Sequence, residues 1–466
     1  MSLNQTIELD FYKEERITAK NKRELLVKLL KTDLDYHNNK SNFGTHKLHS
    51  FPAKFPPQLP ATFIDYLTET NDTVLDPMMG SGTTVIEAIK QNRHAIGVDL
   101  DPLAILMVKV KSQSYNRKEL SKIGKDVIKK SYHLHNEKKK EVKRTYNELF
   151  TKKTREFITY WFAEETIIEL TSLILTINEL QDEKIKDFFK IVFSSTIITK
   201  TGGVSLALDL AHTRPHKAKK VLDKNGKLLY EKDLSKYSVK RQAILKKKLR
   251  STFDLFKTKL RENIALVFDK VDYNSKVIKG DAQNLGLKSE SIDLIITSPP
   301  YAANAIDYMR AHKFSLVWLG YDINELSDIR SEYIGGESTS GYAFDKMPEQ
   351  VQKKIADLRE IDQKRAQVLH RYFTEMNKIL WEMHRVLKPN TPAILVVGNS
   401  NLKGVNTELQ KCLPEIGKQI GFEIPSIGVR NLDRNKRMMP AGFDIDNTSQ
   451  IEKRMHLEYV IPFYKN

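Results

Sequence analysis

The chain has 466 residues, of which 40% are hydrophobic and 29% charged, ordinary figures for a soluble globular protein and enough length for a catalytic core with a second module. Its 76 lysines and arginines outnumber 59 acids for a net charge of +17, which points to a polyanionic partner such as nucleic acid or an acidic surface. A lone cysteine, Cys412, excludes an intramolecular disulfide and a cysteine-based zinc site and suits a reducing cytoplasm, and no window reaches the roughly 18 apolar residues of a membrane span.

The opening "MSLNQTIELDFYKEER" carries acids and no apolar run, so it does not read as a signal peptide, and residues 1–44 form an N-terminal segment. A Pro-rich stretch, "HSFPAKFPP" (His49 to Pro57), leads into a strand "TVLDP", a glycine turn, a helix "TTVIEAIKQN" and a second strand "HAIGVDLDP", which together make a first core block over 45–112. From about 113 to 274 the periodicity becomes helical and lysine-dense. Arg214 to Glu262 alone hold 17 basic residues against 5 acids, most of the chain's surplus. A second core block over 275–466 follows, with strands at "KVIKGDA", "IDLIITS", "PAILVVGNS" and "HLEYVIPFY" and a helix around Phe373 to Leu387. Two blocks of alternating strands and helices predict one α/β sheet with helices on both faces, interrupted by a basic, mainly helical insertion.

Within this frame, Phe314, Val317 and Trp318 have the spacing of a core helix, whereas "IRSEYIGGESTSGYAFDKMPEQ" (329–350) reads as a long functional loop. Two basic stretches are candidates for phosphate contacts: Arg214, Lys217, Lys219 and Lys220 in the insertion, and Arg430, Arg434, Lys436 and Arg437 ahead of the last strand, as a backbone clamp.

The glycine turn "DPMMGSGTT" carries the first chemical signal. Gly80 and Gly82 allow a tight turn and close approach of a ligand, and the helix from Thr83 presents its N-terminal amides. Asp99, 17 residues beyond Gly82 at the end of the next strand, is placed for ribose hydroxyls. The turn lacks the G-K-[ST] ending of a P-loop, and Asp76 with Pro77 is unsuited to a phosphate. A nucleoside with a cationic centre tolerates Asp76 well, and S-adenosylmethionine fits that description.

This motif resembles the D-P-x-x-G-S-G-T-T cofactor motif of DNA amino-methyltransferases, which modify exocyclic amino groups of cytosine or adenine. The resemblance covers about 45–112 and 276–466 and implies a Rossmann-like methyltransferase sheet with S-adenosylmethionine as cofactor. It implies Lys54 and Phe55 of "FPAKFPP" near the methionine end, and Asp281 of "IKGDA" on the adenine amino group. The placing of the large insertion matches none of the usual module orders, which leaves the insertion and loop 329–350 as two candidates for reading DNA sequence.

The segment "TSPPY" resembles the same family's catalytic tetrad, Ser298, Pro299, Pro300 and Tyr301. An exocyclic amino nitrogen is a poor nucleophile because its lone pair is delocalised into the ring. Two rigid acceptors, the Ser298 oxygen and the Pro299 carbonyl, would draw it toward tetrahedral geometry, while Tyr301 offers a face for a flipped base. The in-line transfer needs neither cysteine nor metal. Serine in the first place usually accompanies cytosine N4, and Asp or Asn adenine N6. The family thus implies a site-specific methyltransferase of double-stranded DNA, cytoplasmic and nucleoid-associated, with a cognate restriction endonuclease as its functional partner. Adenine N6 methylation and RNA guanine N2 methylation are the alternatives.

Overall fold

The computed structural model describes residues 16–37, 39–41, 43–52, 54–210, 215–302, 307–432 and 456–466. Among them the strands are, in chain order, β1 (Thr73–Asp76), β2 (His94–Asp99), β3 (Lys220–Leu222), β4 (Leu228–Glu231), β5 (Lys246–Lys248), β6 (Ser275–Lys279), β7 (Leu294–Thr297), β8 (Thr391–Gly398), β9 (Asn401–Leu402), β10 (Val405–Asn406), β11 (Gly428–Asn431) and β12 (Leu457–Lys465). Seven form the main sheet, in the order β11-β12-β8-β7-β1-β2-β6. β6, β2, β1, β7 and β8 run parallel; β12 is antiparallel to both β8 and β11.

Alternation along the strands sends side chains to two helical layers. Leu75, Ile295, Ala393, Leu395 and Val397 pack with helices Gln363–Val386 and Leu409–Ile420. Val74, Leu294, Ile296, Ile394 and Val396 pack with helices Lys22–Leu29, Gln58–Leu67 and Thr83–Lys90. β8, covered on both faces, is buried at every position, which is why its sequence is a continuous apolar run. Leu26, Leu29, Leu30 and Leu34 belong to the second layer, so the N-terminal segment, where described, is part of the core.

The insertion is helical over Arg117–Glu137, Lys139–Leu149, Lys152–Trp161, Glu164–Asn178, Glu183–Ile197 and Thr252–Ile264. Its lysine-rich part departs from the helical expectation. β3, β4 and β5 form a separate sheet, ordered β4-β3-β5, over the small cluster Leu206, Ala218, Val221 and Leu249. Few apolar residues are available there, and strand pairing satisfies the backbone where a helix would have no face to bury; the short helix Val239–Ile244 beside it buries nothing. Glu169, buried in the helical part, ties the two together: it accepts from the Thr252 amide at 3.0 Å and from Lys224 Nζ at 3.3 Å.

The insertion's core continues into both flanking core blocks. It includes Leu103 and Met107 of helix Pro102–Lys111, and Phe314, Val317 and Trp318 beyond the tetrad. Trp318 meets Phe150 and Phe162 edge-on, with ring centroids 5.6 and 5.5 Å apart. A large apolar side chain buried this way contributes about 1.5–3 kcal/mol, so apolar burial fastens the insertion to the segment that follows the tetrad. No helix among the described residues is long and apolar enough to cross a membrane.

Candidate active site

The sheet order reverses at β1, with β2 and β6 on one side and β7 and β8 on the other. In open α/β sheets such a reversal leaves a crevice at the carboxyl ends of the strands. Asp76 ends β1 and Thr297 ends β7. The Thr297 hydroxyl donates to Asp76 Oδ1 at 2.7 Å, and the Met78 amide to the same oxygen at 3.2 Å. Thr84, in the first turn of helix Thr83–Lys90, donates to the Ile296 carbonyl at 3.1 Å. The glycine turn and the strand that delivers the tetrad are therefore braced to each other. Burial pushes the Asp76 carboxyl up to about 7 despite these hydrogen bonds.

Gly80 and Gly82 have φ of +45° and +77°, the left-handed region that favours glycine. A Cβ on Gly82 would also lie 2.6 Å from Val108 Cγ2. The Gly80 amide donates to Asp99 Oδ2 at 2.8 Å and the Asp101 amide to Oδ1 at 2.8 Å, so Asp99 holds the turn in shape and keeps lone pairs for a further donor. Burial, then the nearby Asp101, raises Asp99 to about 6.

A cavity of about 480 Å³ opens over these strand ends. Its walls bring together Lys54 and Phe55 from the Pro-rich loop, Asp76 at the end of β1 with Pro77 beyond it, Gly80 and Thr83 of the turn, Asp99 at the end of β2, Asp281 after β6, and the whole segment Ser298, Pro299, Pro300 and Tyr301 after β7. Gly82 shapes the turn from behind. Lys54 Nζ donates to the His46 carbonyl at 2.9 Å, and burial brings its ammonium down to about 8. Lys111, which the sequence reading passed over, is buried on the same side, donates to the Ser81 carbonyl at 2.8 Å, and is depressed by burial and by Lys54. Asp281 accepts from the Gln283 amide at 2.9 Å. The Lys54 ammonium and the carboxylates of Asp76, Asp99 and Asp281 on the cavity wall suit a ligand with an anionic tail, a cationic centre and hydroxyl or amino donors.

Tyr301 turns its hydroxyl away from solvent to donate to Glu458 Oε1 at 2.9 Å. Burial, then the Glu458 charge, raises its pKa well above the ordinary phenol value, so it stays a neutral ring. Glu458 is ion-paired through its other oxygen with Arg430. This corrects the backbone-clamp expectation for Arg430: the residue is only 5% exposed, donates to the Leu34 carbonyl at 3.1 Å, and anchors the tetrad's tyrosine from within. Lys217, Lys219 and Lys220 lie outside the cavity and are half-buried with partners of their own. Lys217 Nζ sits 4.5 Å from the Tyr160 ring and Lys219 Nζ 4.5 Å from the Tyr237 ring, while Lys220 pairs with Glu231 at 2.6 Å. Arg214, Arg434, Lys436 and Arg437 fall outside the described residues.

Another group missed in the sequence is Asp101. Its Oδ1 caps helix Pro102–Lys111 through the Leu103 and Ala104 amides; its Oδ2 meets His312 Nδ1 at 2.6 Å and the Tyr333 hydroxyl at 2.8 Å. Burial alone would raise its pKa, but the His312 charge and the hydrogen bonds hold it below the usual range. The Asp-Pro step at 101–102 is a helix-start signal that could have found the cap; the His312 and Tyr333 contacts carry no local signal. Through Tyr333 the 329–350 stretch closes onto the cavity wall.

A DNA methylase family model matches residues 4–110, which span the Pro-rich loop, the glycine turn and β2. The type II methyltransferase M.MvaI of Kocuria varians is 25% identical over 411 residues, covering 83% of this chain and 84% of that protein. M.BsoBI of Geobacillus stearothermophilus is 23% identical over 432 residues, covering 84% and 81%. M.MjaII of Methanocaldococcus jannaschii is 36% identical over a shorter stretch of 86 residues, 18% of this chain and 16% of that one. The two long alignments are too extended to rest on the glycine turn alone. The family match and the two long alignments together support the S-adenosylmethionine-dependent DNA methyltransferases that modify cytosine N4 or adenine N6 as the family of this chain.

Proposed function

We propose that this DNA methyltransferase is site-specific and methylates cytosine N4 in double-stranded DNA, on a base turned out of the helix. The observation that carries this reading is Ser298, a neutral acceptor heading two prolines at the wall of the cofactor cavity. The cofactor, when bound, supplies an electrophilic methyl group. Asp99 would accept from its ribose hydroxyls, Asp281 from its adenine amino group, and Lys54 would balance its carboxylate; Phe55 and Pro77 line the same cavity. Asp76 would balance the cationic centre, and it also fixes the end of β7 through Thr297.

The Ser298 oxygen and the Pro299 carbonyl would accept hydrogen bonds from the two N–H groups of the amino group and draw its nitrogen toward tetrahedral geometry; one of those protons leaves to solvent when the methyl group is transferred, and the other stays on the product. Pro299 and Pro300 lack N–H donors and have fixed φ, so the carbonyl direction is set without competition. Tyr301, anchored behind by Glu458, gives the base its stacking face. Serine withdraws less proton character than a carboxylate, which accords with cytosine. The insertion over 113–274 is the module we assign to target recognition, together with loop 329–350, whose first residues Ile329 and Tyr333 pack on the insertion's apolar core. A companion restriction endonuclease and association with the nucleoid follow from this reading as functional expectations.

Tritiated S-adenosylmethionine incubated with the protein and either plasmid DNA or total RNA tests the reading. Label in DNA supports it; label in RNA alone refutes it.

A further inference from the structure

The outer wall of the cavity carries a charged cluster with no part in the roles above. Asp307, just ahead of helix Met309–Leu316, meets two guanidiniums: Arg310 Nε at 2.8 Å and Arg330 Nη2 at 2.6 Å. Arg310 projects from the first turn of that helix and Arg330 from the last turn of helix Ile323–Ser331. Their side chains are 47% and 51% exposed, whereas Asp307 is 14% exposed. All three line the same cavity as Ser298 to Tyr301.

Two cations share one carboxylate here, so this three-residue cluster carries a net positive charge at the cavity wall. Neighbouring arginines are committed elsewhere: Arg371 to Glu375 and the Ser338 carbonyl, Arg365 to Glu337. Lys313, one turn along, adds to the positive field; burial and then Arg330 depress its pKa.

We propose that Arg310 and Arg330 form a phosphate-binding pincer for the DNA backbone on either side of the turned-out nucleotide, with Asp307 as its counter-ion in the absence of DNA. This deepens, and rests on, the DNA reading above. Asp307, 14% exposed, fixes the two guanidiniums from behind, while their half-exposed forks keep N–H donors open to solvent for a phosphate. Arginine binds phosphate in a forked, charge-assisted geometry that a carboxylate shared by two cannot match.

The test compares wild type with Arg310→Gln/Arg330→Gln, the two single variants and Asp307→Asn, measuring S-adenosylmethionine binding by calorimetry and plasmid DNA binding across a salt series. The double variant should bind cofactor normally while the slope of log affinity against log salt becomes shallower by about 2, or about 1 for each single variant. Asp307→Asn should bind DNA as tightly as wild type or more tightly. An unchanged slope in the double variant, or weakened DNA binding in Asp307→Asn, overturns the pincer. If the single variants stay folded while the double does not, their slopes decide the matter. Wild-type protein that methylates DNA while the slopes stay fixed sinks the pincer alone; wild type that binds no DNA sinks the function reading with it.

Discussion

Replacing Arg430 by methionine strands a buried carboxylate. Arg430 and Glu458 have side chains 6% and 11% exposed, and the other Glu458 oxygen is held by Tyr301. Methionine fills most of the arginine stem but leaves Glu458 with the tyrosine hydroxyl as its remaining support from this network. Breaking a buried pair by removing one partner costs about 3–5 kcal/mol, and urea unfolding at neutral pH should register a loss of that order. Adding Glu458→Gln removes the stranded charge, so the double variant should recover part of the loss, with a coupling of about 1–3 kcal/mol. Turnover should fall as Tyr301 loses its anchor, while the salt dependence of DNA binding stays unchanged. A phosphate clamp gives the opposite pattern, with stability intact and a shallower salt slope, and that result would refute the buried-anchor account.

Ser298→Ala should leave S-adenosylmethionine affinity largely intact in calorimetry and cut turnover on DNA by about 10- to 1,000-fold, the range for losing one positioned hydrogen-bonding group; lost cofactor binding would place Ser298 in the wrong role. Cofactor affinity should be bell-shaped in pH. Asp99, held near about 6, and Asp76, near about 7, act as carboxylates, so binding weakens as pH falls through those values; Lys54, near about 8, acts as an ammonium, so binding weakens as pH rises through it. Lys54→Gln should remove the alkaline limb alone, and a flat wild-type profile contradicts the assignment. Gly82→Ala combines a left-handed φ, worth about 1–2 kcal/mol, with a clash against Val108; Val108→Ala should relieve the clash but not the backbone term, as thermal melts of the two variants and their combination will reveal.

What the sequence made legible was local. The strand, glycine turn, helix and acid from Thr73 to Asp99 lie within one supersecondary unit whose glycines, periodicity and spacing are read without tertiary knowledge. "IDLIITSPPY" likewise announces a buried strand ending in a rigid turn. Arg430 was misread because its burial depends on β11 pairing with β12 and on the backbone of Leu34, 396 residues away. Asp101 and His312 are 211 residues apart, and no local pattern joins them. The lysine-rich part of the insertion was read as helix because strands as short as three residues over a four-residue cluster leave no period to detect.

The central claim is the identity of the methylated base, and mass spectrometry of nucleosides from plasmid DNA methylated by the purified protein reads it directly. N4-methylcytosine as the product, lost in Ser298→Ala, is the result this account predicts; N6-methyladenine, or unmodified DNA from active, cofactor-binding protein, would contradict it.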